Sequence, residues 1–166
     1  MKAFAITIMI IMAAIIVIVL ASSWHSDNVR NQKIEATTSP QEFISLEIYE
    51  PKANVEVRRS GDTLLVTYNL DPWMMTGSWG KSSFTVELEK IIPGAFYKFR
   101  DINSITITAT AAFGDDIRGQ SQGRGDVLRA AFSRANAESI VWDHVRLDNL
   151  PQLADKFWQH PNLIKE

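Results

Sequence analysis

Ile105, Ile107, Ala109 and Ala111 alternate with Thr106, Thr108 and Thr110, and this period of two predicts a strand over 105–112 with one buried and one wet face. Two more alternating runs, 53–59 and 63–70, flank Ser60-Gly61-Asp62, the pattern of a β-hairpin closed by a short glycine-containing turn. A similar alternation over 42–50 sets Phe43, Ser45, Glu47 and Tyr49 against Ile44, Leu46 and Ile48, and reads as a further strand ended by Pro51. The period changes at 82–100. Phe84, Leu88, Ile91, Ala95 and Phe99 are spaced 4, 3, 4 and 4, which puts them on one helical face that Ile92 and Phe96 widen. Ser82 or Ser83 is the expected cap. Pro93-Gly94 interrupts the pattern, so a kink or two shorter helices are expected, and the register kept across the break favours the kink.

Beyond 105–112 the signals shorten. The run 127–133 fits a strand or the start of a helix. Residues 134–142 read as helical with Ser133 as the cap, and 148–161 as a helix capped by Asp148 or Asn149 with Pro151 in its first turn. Leu150, Leu153, Ala154, Phe157 and Trp158 would line one side of that helix. The elements together predict an α+β domain over 41–166: a mostly antiparallel sheet of four or five strands with helices packed on one face.

The head of the chain follows no amphipathic period. Ala3 to Ala21 is 19 residues with Thr7 as the only polar side chain. As a helix it would measure roughly 28 Å, close to the hydrocarbon thickness of a bilayer. Residues 1–21 are therefore expected to be a membrane anchor or signal segment, with the lipid bilayer as partner of residues 3–21. The run is longer than the usual signal core, which favours retention. Val19 and Ala21 could precede a cut, so a secreted or periplasmic product cleaved near Ala21 is the alternative. Lys2 on the short side places the N-terminus in the cytoplasm and the folded part outside it. Residues 22–40 are polar, show no clear period and read as a tether.

Composition and charge narrow the function by exclusion. The net charge is −2 with signs mixed along the chain, and Arg58-Arg59 is too small a cluster for a nucleic-acid footprint. Cysteine is absent, which rules out disulfides, thiol catalysis and an anchor on an N-terminal cysteine. His25, His144 and His160 lie far apart, and Asp115-Asp116 lacks the alternating ligand spacing of a calcium loop, so neither metal nor cofactor is expected. Gly119 to Gly123 matches the serine-nucleophile pattern at Ser121, with Asp143 and then His144 or His160 following in order. The nearest expected strand ends about eight residues earlier, so Ser121 would not crown a sharp strand-to-helix turn. A small serine hydrolase stays the alternative to a non-catalytic reading. Asp143-His144 beside Trp142 is read as a turn, with Trp142 plugging the core.

The order of elements and a few positions resemble a group of small exported bacterial domains of unknown function. After an export segment, the order is a strand ending in 66–70, an amphipathic helix, a strand entering the Asp116-Ile117-Arg118-Gly119 loop, then Ser133-Arg134, Ala137, Ile140 and Trp142, and the likeness covers roughly residues 55–145. The resemblance implies an α+β domain with 127–133 as a strand. It carries over no activity and no functional residue.

One stretch fits no element. Asp71, Pro72, Gly77 and Gly80 mark 71–83 as a loop, yet it holds Trp73, Met74, Met75 and Trp79. Such side chains either close the end of a core or meet a partner or membrane. The expectation from sequence is thus a membrane-anchored, non-catalytic binding or assembly module of the bacterial envelope with a protein partner there, and Trp73, Met74, Met75 and Trp79 as candidate contacts.

Overall fold

The computed structural model describes residues 28–48, 54–70, 78–112, 123–145 and 149–161, with backbone alone for 78–83. The chain divides into two compact units, Met1–Thr37 and Thr38–Glu166. In the first, residues 28–36 form a helix (α1), prolonged by the Thr37 N–H donating to the Lys33 carbonyl at 3.0 Å. No regular structure was expected there, because no apolar stripe marks it. Arg30, Gln32, Lys33, Glu35 and Ala36 are good helix formers all the same, so propensity rather than amphipathicity carries α1. The apolar segment 3–21 lies outside the described residues. Among the described residues no helix is long and apolar enough to cross a membrane.

The second unit is α+β, built on one five-stranded sheet in the order β1-β2-β3-β4-β5. β1 (Glu56–Ser60) and β2 (Thr63–Asn69) form the expected hairpin. Gly61 takes φ 62° at the first position of its two-residue turn, the left-handed backbone that glycine adopts without steric cost. β2 then pairs parallel with β3 (Ser104–Ala112). This one parallel pair makes the sheet mixed, while the other three pairs are antiparallel. The connection allows it: a helical crossover carries the chain back to the end of the sheet where β2 starts, as parallel neighbours require. β3 pairs antiparallel with β4 (Arg124–Ser133), and β4 with β5 (Lys156–Gln159). The segment 127–133 is therefore a strand.

The strand expected over 42–50 is instead a helix, α2 (Pro40–Glu47), and β5 supplies the fifth strand in its place. Pro40 sits at the start of α2, where its missing N–H and fixed φ suit a first turn. The Gln41 side chain of α2 reaches β1. Its Nε2 donates to the Val55 carbonyl at 2.8 Å and its Oε1 accepts from the Val57 N–H at 2.7 Å.

The connection between β2 and β3 is α3 (Ser78–Lys98), which starts earlier than a cap at Ser82 or Ser83 would allow. Phe84, Leu88, Ile91, Ile92, Ala95 and Phe96 are buried, as their spacing requires. Phe84 stacks on Tyr68 of β2, with ring centroids 6.4 Å apart. That places α3 on the sheet face carrying Leu64, Val66, Ile105, Ile107 and Ala109, all buried. The other face presents Thr67 and Arg129 to solvent.

α3 runs through Pro93-Gly94 as one helix. Pro93 cannot donate to the Glu89 carbonyl, a local cost that packing on both sides of the break offsets. Gly94 has a separate reason to be there. A Cβ on it would lie 2.7 Å from Cζ of Phe43, whose buried ring packs edge-on against Phe99 at 5.8 Å. Glycine costs about 1 kcal/mol against alanine in a helix. Here the close approach of α2 outweighs that cost, because overpacking a filled core typically costs about 1–3 kcal/mol. We expect Gly94→Ala to destabilise the protein by about 1–2 kcal/mol in denaturant unfolding, and Gly94→Ala with Phe43→Leu to recover part of the loss.

After β4, α4 (Arg134–Ala137) is capped by the Ser133 hydroxyl, which accepts from the Asn136 N–H. A 3₁₀ turn follows at Trp142–His144, then α5 (Leu150–Leu153) with Pro151 in its first turn. The longer helix expected across 148–161 ends at Ala154, whose backbone is extended. The Asp155 N–H donates to the Ala131 carbonyl and the Asp155 carboxylate accepts from the Ser133 N–H, which steers the chain into β5.

Candidate binding site

Three connections meet at one end of the sheet: the β1–β2 turn, the α3–β3 loop and the β4–α4 junction. The Asp62 carbonyl accepts from the N–H groups of Asn103 and Ser104, and the Asn103 Nδ2 donates to the Asp62 carboxylate at 3.0 Å. The Arg134 N–H in turn donates to the Asn103 carbonyl at 2.8 Å.

The Arg134 side chain closes the C-terminal end of α3. Helix ends leave carbonyls without intrahelical partners. Arg134 donates to the Phe96 carbonyl at 2.8 Å, to Phe99 at 2.9 Å, and to Ile102 at 3.1 and 2.6 Å. A guanidinium suits this because its rigid fork reaches several acceptors and its charge opposes the negative end of the helix dipole. Its carbon lies 4.9 Å from the Phe96 ring centroid, and Glu138 lies 3.6 Å away.

The segment after α4 folds back over this end. The Trp142 indole N–H donates to the Ala137 carbonyl at 3.0 Å, and its ring packs edge-on against buried Phe132 of β4 at 5.4 Å. Between this segment and α3 lies a cleft of about 250 Å³. Pro93, Phe96 and Tyr97 of α3, spaced three and four residues from Pro93, form one wall with Arg100 of the turn that follows the helix. Arg134, Ala137, Glu138, Ile140 and Trp142 form the other. Tyr97 is 76% exposed, and Val141, beside the lining residues Ile140 and Trp142, is 67% exposed. The Arg100 guanidinium sits 5.1 Å from the Tyr97 ring centroid.

Ser133, Arg134, Ala137, Ile140 and Trp142, the positions that carried the resemblance, thus form one local device. Ser133 caps α4, Arg134 closes α3, and Ala137 receives Trp142. Ile140 and Trp142 also line the cleft. Tyr97 and Arg100 had no role in the sequence reading. The signal for Tyr97 was its place beside the core face of α3, while Arg100 lies in the turn after the helix.

The sequence-derived candidates lie elsewhere. Trp73, Met74 and Met75 fall outside the described residues, as do Ser121, Asp115, Asp116 and His25. Trp79 belongs to the first turn of α3 rather than to a loop. Asp143 and His144 are exposed on the 3₁₀ turn. His160 follows β5, where its N–H donates to the Val127 carbonyl and its ring lies 6.0 Å from Trp158. Among the described residues no cluster of His, Asp and Glu could hold a metal ion. Compared with protein-family models, curated proteins and solved structures, the chain matches none.

Arg59 of β1 donates to the Asp101 carboxylate at 2.6 Å, and both side chains are largely exposed. This hydrogen bond holds the Asp101 carboxyl below the usual carboxylate range, helped by its own backbone N–H, the Arg59 charge and that of Arg134. A depressed folded-state pKa contributes stability above the unfolded value, and that contribution is lost as pH falls through the folded value.

Two outcomes follow. Arg134→Ala leaves the end of α3 without its donors and should cost on the order of 3 kcal/mol or more in unfolding free energy. Arg134→Lys should recover only part of this, since an ammonium cannot span three carbonyls. In carbon-detected NMR titration, Asp101 should titrate below the usual range of about 3.9 in the native protein, and Arg59→Ala should move it back toward that value.

Proposed function

We propose that this chain is a non-catalytic binding module, held at a bacterial membrane by its apolar head and serving as an accessory part of a larger envelope assembly. The observation that carries the binding role is the cleft at the end of α3. Its walls are mostly apolar or aromatic, its frame is fixed by Arg134 and Trp142, and Tyr97 and Val141 stand exposed beside it. Exposed aromatic side chains around a small concavity are what a partner uses as an anchor point. Two of the polar groups that line the cleft favour holding over chemistry. Arg134 and the Trp142 indole N–H are committed to backbone carbonyls.

The membrane part of the reading rests on Ala3 to Ala21, long enough as a helix to cross a bilayer. It puts the folded unit outside the cytoplasm, with cleavage near Ala21 and release as the alternative. Trp73, Met74, Met75 and Trp79 remain in this reading a second contact surface toward the partner or the lipid.

Photocrosslinking in the native membrane tests the proposal. A benzophenone amino acid at position 97 or 141 of the full-length protein should give the same discrete adduct, and one at Arg58 should give none. The protein should stay in the carbonate-washed membrane pellet and leave it when residues 3–21 are deleted. Identical adducts from all three positions, or none from 97 and 141, would overturn the binding role. Release of the full-length chain by carbonate would overturn the anchor.

A further inference from the structure

We infer that the cleft is a receptor for a chain end: the last residue of a peptide, with a large apolar side chain and a free α-carboxylate. This rests on the binding reading above and names its ligand. The size of the cleft comes first. An apolar cavity of about 150 Å³ admits a benzene ring, and drug-sized ligands need about 300–1,000 Å³. The cleft, at about 250 Å³, lies between these. It takes one aromatic or branched aliphatic side chain with its backbone end, and is short for a long acyl chain. Pro93, Phe96, Ile140 and Trp142 give that side chain an apolar lining.

The charges select what accompanies it. Two guanidinium groups line the cleft, and they are not equivalent. Arg134 is tied to the carbonyls of Phe96, Phe99 and Ile102. Arg100 makes no hydrogen bond or ion pair among the described residues, and the Tyr97 ring holds it at the cleft without using its N–H donors. A guanidinium held over a ring is an ordered fork, and its natural complement is a carboxylate bound through two N–H groups. Glu138 on the opposite wall lies 3.6 Å from Arg134 and offsets that charge, which leaves the single charge of Arg100 for an incoming anion. One uncompensated positive charge matches a single carboxylate better than a doubly charged phosphate. A C-terminal residue presents this combination: an apolar side chain, one carboxylate, and a chain leading away to solvent.

The test uses the full-length protein in lipid nanodiscs and reads the Trp142 indole N–H and the Arg100 Nε–H by NMR. The probes are acetyl-Gly-Leu and acetyl-Gly-Phe as free acids, the same peptides as C-terminal amides, and octanoate. The acids should shift both resonances saturably, with the amides at least tenfold weaker. Arg100→Ala and Arg100→Gln, each with an otherwise unchanged amide spectrum, should weaken the acids at least tenfold, and Glu138→Gln should not weaken them. Equal binding of acids and amides, or no effect of either Arg100 variant, would overturn carboxylate recognition. Octanoate binding tighter than the peptides would replace the chain end with an amphiphilic anion. Silence of both resonances toward every probe would remove the inference, while the crosslinks from positions 97 and 141 would still decide the binding role independently.

Discussion

The end of α3 has to be closed. A long helix that crosses one face of a sheet and turns back into it ends with carbonyls that have no intrahelical partner. In this protein Arg134 answers that demand from a distant part of the sequence, bonding the carbonyls of Phe96, Phe99 and Ile102. Its own backbone N–H is held by Asn103, which is tied to the hairpin turn at Asp62. The register of β2 against β3 and the start of α4 are thus fixed at one point. The cleft is a by-product of this closure, since its two walls are the helix that is closed and the segment that closes it.

The rest of the core follows from a sheet with one buried face. Alternation along β2 and β3 puts Leu64, Val66, Tyr68, Ile105, Ile107 and Ala109 under α3, and the helix meets them with residues spaced three and four apart. Where α2 comes closest to α3 there is no room for a side chain, and Gly94 gives Phe43 its place. The Pro93-Gly94 pair, a helix breaker by local rules, serves here two faces of one helix. Pro93 lines the cleft on one side and Gly94 admits α2 on the other.

What could be read from the sequence was whatever a single segment encodes by itself. The β3 alternation, the buried face of α3, the hairpin and the Ser133 cap are all local, and all are found. The error at 42–50 came from weighing alternation above a start signal. Ser39-Pro40-Gln41-Glu42 has a capping residue, a proline at the first helical position and an acid in the first turn. β5 was hidden because it has four residues, and Leu150, Leu153, Ala154, Phe157 and Trp158 fit helical spacing equally well. The cleft could not be read at all. It exists only when 93–100 and 134–142 are brought together, and no periodicity records that. Ser133, Arg134, Ala137, Ile140 and Trp142 stand out in the sequence only as scattered positions, and the structure assigns each a physical task.

The Gln41 amide deserves to be seen as a borrowed peptide group. It offers Val55 and Val57 the donor and acceptor that a sixth strand would offer, at the outer border of β1. A stray β-segment, whether from a neighbour or from a misfolded copy, would have to dislodge that side chain before it could zip on. This works as a stopper against fibrillar growth from that flank, and it comes from a single side chain on the helix next door.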